Sequence, residues 1–341
     1  MSIESNNVEG STKAPILQNE CYGQACCQPD YKQPMLISFS GGRTSAMMTY
    51  HLLKKYSNKY DFKVIFANTG HEREATLEFV KKCDDILGFN TIWVEAVTPI
   101  EHGKGTYAKV VNFETAYRNV LKNGIDPFET VISKHGITNI SLPHCSREMK
   151  KVTIRAYMRM IGHSRIDYKT YLGIRTDEPK RLNFKKAKKE KLIYMAELGK
   201  VSKQDVNKYW SKMPFDLELK SYEGNCILCW KKSDRKLYTI IREAIIKEDL
   251  EVLAEIAWHK QMETKYGRYT PETRKKQDKG QTNYFFMKDR SINDMVEEAM
   301  LLDTAEFAFD ETTLFDEVTQ LRLWNSELDA HAGCSESCEA W

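Results

Sequence analysis

The sequence predicts an α/β protein in which helices cover both faces of a parallel β-sheet, followed by a helical subdomain. Two observations lead to this prediction. Short apolar segments alternate with amphipathic segments up to about residue 175, and from about residue 203 the helical pattern continues without strands. Strands that alternate with helices of roughly ten to fifteen residues form crossover units, whose strands run parallel.

The first two crossover units follow directly from the pattern. MLISFS (35–40) is a short apolar run typical of a buried strand, and RTSAMMTYHLLKKY (43–56) has apolar residues at helical spacing. FKVIFANTG (62–70) predicts the second strand, and EATLEFVKKCDDIL (74–87) predicts the second helix. Gly88 would end that helix, because glycine tolerates the left-handed conformation common at helix C-termini.

The same pattern continues to about residue 175. TIWVEAV (91–97) predicts a third strand, HCSREMKKVTIRAYMRMIG (144–162) a helix, and YKTYLGIR (168–175) a fourth strand. Parallel sheets of this kind bind ligands at the carboxyl ends of their strands. We therefore expect the binding site among three polar or glycine-rich segments that leave strands one, two and four: 38–45, 68–72 and 173–178.

Composition divides the chain into four parts. Residues 1–33 are polar, 34–202 carry the predicted sheet, 203–290 are helical and contain a Cys-x-x-Cys sequence, and 291–341 are acidic. Each part is expected to be a separate segment or subdomain.

Bulk properties exclude several classes of protein. A content of 41% hydrophobic and 11% aromatic residues is that of a globular protein. No run approaches the roughly eighteen apolar residues of a membrane span, and the N-terminus lacks the apolar core of a secretory signal. Nine cysteines, an odd number, do not suggest a disulfide framework. We expect a cytoplasmic protein without membrane partners.

Residues 180–191, KRLNFKKAKKEK, hold seven Lys/Arg and one Glu. A run of this density can contact the phosphates of DNA or RNA. It can equally be a solvated or mobile loop. The sequence leaves both interpretations open.

The glycine pair of SFSGGRTS (38–45) stands at a strand–helix junction. Glycines there let backbone N–H groups approach an anion, and the helix N-terminus adds partial positive charge. The segment lacks the Gly-Lys-Ser/Thr ending of a Walker loop and the three glycines of a dinucleotide fingerprint. Taken alone, it is either a phosphate-binding loop or a turn.

Four segments in this order, SFSGGRTS, NTGHEREATLEFV, HCSREMK and YLGIRTDEPKR, resemble the PP-loop superfamily. The resemblance is to the branch that contains phosphoadenosine phosphosulfate (PAPS) reductases and related adenine nucleotide alpha hydrolases, and it covers residues 35–235. It implies a Rossmann-like sheet flanked by helices. It also implies that the Ser-Gly-Gly loop cradles the phosphates of ATP or of a PAPS-type sulfonucleotide.

The resemblance assigns residues to the nucleotide site, with one departure. Many PP-loop enzymes have an acidic residue that helps to hold magnesium where this chain has Thr44, so Asp177 and Glu178 become the candidate catalytic carboxylates for Mg²⁺. Alternatively, these carboxylates and the neighbouring arginines form only a salt-bridge cluster at the surface. His71 is either structural or part of the ligand edge. The implied nucleotide-binding residues are Ser38, Ser40, Gly41, Gly42, Arg43, Thr44, Ser45, Asn68, Thr69, Gly70, Arg147, Gly173, Arg175 and Arg181.

The Cys-x-x-Cys sequence, Cys226 to Cys229, has three interpretations: a metal or cluster site, a redox dithiol, or coincidence. Similarity to iron–sulfur PP-loop sulfurtransferases adds Cys145 as a third ligand of a [4Fe–4S] cluster, with zinc as the rival metal. A fourth ligand would come from Cys334 or Cys338, or from one of Cys21, Cys26 and Cys27. Cys83, inside an apolar helix, is expected to be a core residue.

Three functions remain open. The first is ATP-dependent adenylation of an acceptor, with cluster-assisted transfer of sulfur from a donor protein; DNA or RNA is a candidate acceptor, as in the similar DNA phosphorothioation sulfurtransferases. The second is reduction of PAPS or adenylylsulfate, in which Cys334 or Cys338 attacks and a thiol reductant restores the enzyme. The third is a non-catalytic nucleotide- or nucleic-acid-binding protein with a structural metal.

Overall fold

The computed structural model describes residues 31–101, 103–271, 280–303, 308 and 310. Its centre is a six-stranded sheet of order β4-β3-β2-β1-β5-β6. The pair β3–β4 is antiparallel and the other pairs are parallel. The strands are β1 (Gln33–Ser38), β2 (Tyr60–Asn68), β3 (Ile92–Val97), β4 (Tyr107–Val111), β5 (Lys169–Leu172) and β6 (Leu192–Tyr194).

Ten α-helices lie within the described residues, and a π-helical segment, Cys145–Val152, runs directly into the fourth. None of the described helices has the length and apolarity needed to cross a membrane. The helices are α1 (Arg43–Tyr56), α2 (Glu74–Leu87), α3 (Pro127–His135), α4 (Thr153–Met160), α5 (Phe184–Glu190), α6 (Met195–Leu198), α7 (Lys203–Trp210), α8 (Asp234–Lys247), α9 (Leu250–Tyr266) and α10 (Ile292–Leu301).

Alternating side chains of the central strands fill two cores, one on each face of the sheet. Met35 and Ile37 pack with the apolar faces of α1, α2 and α7, whereas Leu36, between them, packs with α4 through Ile154. The α/β prediction of a sheet covered on both faces is therefore confirmed. Gly88 has φ 70° and ends α2 in the left-handed conformation, as predicted.

The order of the strands reverses at β1. The chain continues from β1 through α1 to β2 on one side, and returns through α3 and α4 to β5 on the other side. In open α/β sheets the crevice outside the carboxyl ends of two such strands is the usual ligand site. Segments 38–45 and 173–178 leave the sheet at this point.

The sheet differs from the prediction at its edges. The edge strands β4 and β6 were missed, and β5 ends at Leu172, three residues before the end of the predicted strand. Most of the basic run at 180–191 forms α5. Asn183 caps this helix by accepting a hydrogen bond from Lys186 N, and the buried Ala187 docks it on the sheet.

The helices after residue 203 divide between two cores. Val206 and Trp210 of α7 pack with α1 in the core of the sheet. A second core joins α8, α9 and α10 with α3, through side chains such as Ile132 and Trp258. The domain boundaries proposed from the sequence remain predictions.

Candidate functional site

The loop between β1 and α1 approaches α2 closely. Gly41 has φ 78°, and a Cβ built on it would lie 2.8 Å from Thr76 Cγ2. Only glycine meets both constraints, because other residues are strained at positive φ and their Cβ would also collide here. Helix α1 begins directly afterwards with Gly42 as an extended N-cap residue, which has no side chain to cap the helix. The first turn of α1 therefore begins at the carboxyl end of β1 without a side-chain cap from Gly42.

Serine hydroxyls fix the shape of this loop from within. Ser45 Oγ donates to the Gly42 carbonyl at 3.0 Å and lies 2.8 Å from Ser40 Oγ. The amide of Ser40 also points to Ser45 Oγ, at 3.3 Å. The loop is thus pre-organised by its own side chains, and Ser38 is buried at the end of β1.

Arg43 does not face the crevice. Its guanidinium donates to both carboxylate oxygens of Asp216, at 2.7 and 3.0 Å, and to the carbonyl of Leu217. Only 2% of the residue is exposed. The expectation that Arg43 supplies a cation for phosphate is therefore not supported: its geometry is that of a structural tie between α1 and the segment after α7.

Arg175, which was also predicted to bind the nucleotide, lies beside the first turn of α1. It is 5% exposed, follows β5, and donates from Nη1 to Thr44 Oγ1 at 3.1 Å. Strand β5 approaches α1 closely, because a Cβ on Gly173 would lie 2.9 Å from Ser45 Cα. The crevice between β1 and β5 therefore carries a buried positive charge beside the first turn of α1.

The candidate catalytic carboxylates are engaged in ion pairs. Glu178 accepts from Arg175 N at 3.0 Å and from Arg181 Nη1 at 2.5 Å. Asp177 accepts from Arg175 Nε and from Lys203 N, both at 2.8 Å. The structure thus brings together Asp177, Glu178 and Arg181 as a salt-bridge cluster, which was the alternative interpretation.

Arg147 lies apart from this cluster, on the π-helix. Its side chain is exposed and pairs with Glu148 at 3.1 Å.

The segment that leaves β2, residues 68–72, is held in place by hydrogen bonds to carboxylates. Asn68 Nδ2 donates to Glu95 Oε1 at 2.8 Å, and its Oδ1 accepts from Gly70 N at 3.2 Å. Thr69 donates to both oxygens of the buried Glu72, from its amide at 2.9 Å and from its hydroxyl at 2.7 Å. Asn68, Thr69 and Gly70 therefore form a rigid turn at the predicted edge of the sheet.

His71 is a buried link between this turn and the second core. Its Nδ1 lies 2.8 Å from Glu255 of α9, and its Nε2 lies 3.4 Å from Asp126. Burial opposes protonation, yet Glu255 and Asp126 together raise the pKa of His71 to about 10. His71 is thus a positively charged structural residue at neutral pH.

The Cys-x-x-Cys turn lies against the same edge. Ile227 N donates to His71 O at 3.0 Å, and Arg73 N donates to Asn225 O at 2.8 Å. Asn225 Nδ2 reaches the β1–α1 loop and donates to Ser40 O at 2.6 Å. Within the described residues, Asn225 Oδ1 is buried without a hydrogen-bond partner. An orphan acceptor beside this loop is the kind of group that a bound ligand satisfies.

Asn225 was missed as a site residue. The one signal in the sequence was the Gly-Asn entry to the Cys-x-x-Cys turn, and nothing in that pattern indicates a contact with Ser40, 185 residues away.

The predicted metal ligands lie on neighbouring elements. Cys226 Sγ is 3.6 Å from Glu72 Oε1 and 4.0 Å from Lys150 Nζ of the π-helix. Cys145 begins that helix and accepts from Thr138 Oγ1 at 3.7 Å. In the part of the chain that the structure describes, no three His, Cys, Asp or Glu side chains are grouped as they would be around a metal ion.

The assignment of Cys145, Cys226 and Cys229 as ligands of a [4Fe–4S] cluster or zinc therefore stays a prediction. Cys83 is buried in the core as expected. The other predicted thiols lie outside the described residues: Cys21, Cys26, Cys27, Cys334 and Cys338.

Comparisons with known proteins agree with this geometry. Residues 34–141 match the model of the family described as "Phosphoadenosine phosphosulfate reductase domain". The chain is also similar to "Uncharacterized nin region protein ORF290" of Escherichia phage lambda, with 32% identity over 206 residues. That match covers 59% of this chain and 67% of the phage protein. The matched family segment contains the β1–α1 loop and the turn after β2.

Proposed function

The chain belongs to the phosphoadenosine phosphosulfate reductase domain family, and on this premise we propose that it binds an adenine nucleotide between β1 and β5 and uses it in sulfur chemistry. One observation carries the proposal. The glycine loop and the first turn of α1 lie at the point where the strand order reverses, beside the buried guanidinium of Arg175. This arrangement suits a chain of phosphates.

Each part of the crevice has a separate role in this proposal. The amides of Gly41 and Gly42 and the N-terminus of α1 bind phosphate oxygens. Arg175 adds a fixed charge, held by its bonds to Thr44 and Asp177. The turn of 68–70 lies beside the adenosine, and Asn225 Oδ1 accepts a hydrogen bond from the ligand.

The reaction we propose is adenylation followed by sulfur transfer. An acceptor oxygen attacks the α-phosphorus of ATP, the bond to the β-phosphate breaks, and pyrophosphate leaves. Sulfide released by a donor protein then attacks the acceptor atom that carries the AMP oxygen, the bond between that atom and the oxygen breaks, and AMP leaves with the bonding electrons. A Mg²⁺ ion bound to the triphosphate would neutralise charge on the leaving pyrophosphate, and Asp177 and Glu178, each paired with an arginine, are its candidate protein ligands. No step is assigned to a cluster.

A comparison of substrates tests the proposal. The full-length protein is incubated with ATP labelled at the α-phosphate and, separately, with PAPS and with adenylylsulfate. Labelled AMP and pyrophosphate that form only when an acceptor and a sulfide source are present support adenylation. Sulfite release from PAPS or adenylylsulfate that is lost in the double variant Cys334→Ser/Cys338→Ser would instead identify a reductase. Binding of ATP without turnover of any substrate would leave a nucleotide-binding protein.

A further inference from the structure

The basic run at 180–191 is an anchored part of the fold. A short 3₁₀-helix, Pro179–Arg181, leads from the exit of β5 to α5. Helix α5 is capped by Asn183 and docks through Ala187 against Leu192 and Tyr194 at the edge of the sheet. Its lysines therefore extend from a fixed surface that begins at the nucleotide crevice.

Helix α5 lies beside α4, and one acid joins them. Glu190 accepts from Lys151 Nζ at 2.6 Å and from Arg155 Nη2 at 2.9 Å. The π-helix and α4 carry cations at four-residue intervals, and Arg147 and Arg159 at the two ends of this series are exposed. The series is Arg147, Lys151, Arg155 and Arg159. Because Glu190 is shared, the two helices present one continuous surface, which we call the basic face.

The basic face carries more positive charge than its acids neutralise. Residues 147–160 and 184–190 together contain nine Lys/Arg and two acidic residues, Glu148 and Glu190. Burial lowers the pKa of Lys151, and the charges of Arg155 and Lys186 lower it further, against the opposing effect of Glu190. Cations that repel one another in this way are stabilised by a bound polyanion.

An exposed aromatic side chain stands at the beginning of α5. Phe184 is 57% exposed, and its ring meets the edge of Tyr194 at 5.9 Å between centroids. Tyr194 supports the ring from the sheet side and leaves its remaining surface to solvent. Aromatic side chains beside a basic surface stack on unpaired bases, which duplexes do not offer.

We propose that the basic face binds a single-stranded nucleic acid, with lysines of α5 and cations of α4 on its phosphates and Phe184 stacked on a base. The basic face reaches the segment that leaves β5, so a nucleic-acid strand bound on it leads towards the nucleotide crevice. The identification of this strand as the acceptor of adenylation rests on the proposed function, whereas its binding does not.

Matched charge reversals test the basic face. Binding of a labelled single-stranded oligonucleotide of roughly 16 nucleotides is measured by fluorescence anisotropy over a range of salt concentrations. Lys188→Glu/Lys189→Glu is expected to weaken binding at least about tenfold and to reduce the salt slope by about 1.4, since each phosphate contact to a single strand contributes about 0.7. Lys54→Glu/Lys55→Glu, an equal charge change at the exposed end of α1, is expected to weaken binding less than about threefold.

Two further variants separate folding and stacking from charge. Lys188→Gln/Lys189→Gln removes the charges without adding acids to the last turn of α5, and is expected to give a smaller loss in the same direction. Phe184→Ala is expected to weaken binding roughly fivefold or more while leaving the salt slope unchanged.

The proposal is overturned if the two glutamate double variants weaken binding equally, if duplex binds as tightly as the single strand, or if anionic vesicles bind and the oligonucleotide does not. Titration of ATP into the same variants distinguishes the two proposals. Normal ATP binding with lost oligonucleotide binding supports the basic face, whereas absent ATP binding in the unmodified protein contradicts only the proposed function.

Discussion

Thr44 and Arg175 form the contact that most affects chemistry in the crevice. The hydroxyl of Thr44 accepts a hydrogen bond from the buried guanidinium of Arg175 at 3.1 Å. A neutral hydroxyl adds no further negative charge to Arg175, which already pairs with Asp177 at 2.8 Å, and offers no carboxylate to a metal. The contact between Thr44 and Arg175 is therefore better suited to binding phosphate than to binding a metal ion.

A substitution at Thr44 tests this arrangement. Thr44→Asp is expected to pair with Arg175 and to weaken metal-free ATP binding roughly tenfold, the effect of losing one charge-assisted contact. Thr44→Ser keeps the hydroxyl and is expected to bind ATP normally. Calorimetric titration in the presence of a chelator measures both, and tighter binding by Thr44→Asp would contradict the assignment.

The charge of His71 predicts how stability depends on pH. Its pKa in the folded protein, about 10, lies above the ordinary 6.5, so between these values the folded protein holds a proton that the unfolded chain has lost. The stabilisation is complete below pH 6.5 and is lost as the pH rises through 10. Burial lowers the pKa of His259 to about 4, so its protonation affects stability only below pH 6.5, outside the range in which His71 does.

His71→Gln is the matching experiment. It leaves Glu255 and Asp126 buried without their cation and is expected to cost roughly 3–5 kcal/mol at neutral pH. Urea unfolding between pH 6.5 and 10 should show a smaller loss of stability in the variant than in the unmodified protein. An identical pH dependence in both proteins would show that His71 is not charged in the fold.

Residues of the site differ in how far the sequence predicts them. Gly41 is predictable from its local sequence, because the turn between an apolar strand and a helix places it at φ 78°, where glycine is favoured. The ion pair of Arg43 is with Asp216, which lies 173 residues away in the sequence. A short sequence motif around Arg43 cannot indicate such a partner. Contacts between distant segments are therefore the part of the site that the sequence alone leaves open.

At the scale of elements, amphipathic helices were predicted well and edge strands poorly. Helices α1 and α2 begin and end where the apolar spacing indicates, because one face of each is buried. Strand β4 is mostly solvent-exposed, and β6 has only three residues. Neither contains enough buried positions to produce a pattern.

The close contact between β5 and α1 defines the crevice and can be tested. Gly173→Ala places a Cβ 2.9 Å from Ser45 Cα and is expected to destabilise the protein by about 1–3 kcal/mol and to weaken ATP binding. Gly105→Ala is the control, since its Cβ meets nothing within 4 Å. Thermal unfolding and calorimetry together check this prediction, which fails if the two variants behave alike.

At the scale of the whole molecule, charged residues after β2 connect the sheet to the second core. Arg73 donates to Asp249 at 2.6 Å and to Glu223 at 3.0 Å, and His71 reaches Glu255. The Cys-x-x-Cys turn is fixed by main-chain bonds to both residues. Main-chain contacts thus tie this turn to the segment that follows β2.

The double variant Cys226→Ser/Cys229→Ser is therefore expected to remain folded, with a loss of less than about 2 kcal/mol and a Tm within roughly 5 °C of the unmodified protein. A structural zinc or cluster site would instead unfold when its ligands are removed. Elemental analysis of anaerobically purified protein accompanies the measurement of Tm. Stoichiometric iron or zinc, lost together with the fold in the variant, would reverse this conclusion.

The central claim, that the N-terminus of α1 holds the phosphates of an adenine nucleotide, is tested most directly at Gly42. This N-cap residue is extended, with φ −100° and ψ 160°, a conformation that Asp and Asn also adopt at N-caps. ATP binding is measured by calorimetry for Gly42→Asn and Gly42→Asp, with thermal unfolding to confirm that both are folded. The two side chains have the same shape, and we predict that Gly42→Asp binds at least about tenfold more weakly, because its carboxylate repels the phosphates. Equal affinity of two folded variants would contradict the claim.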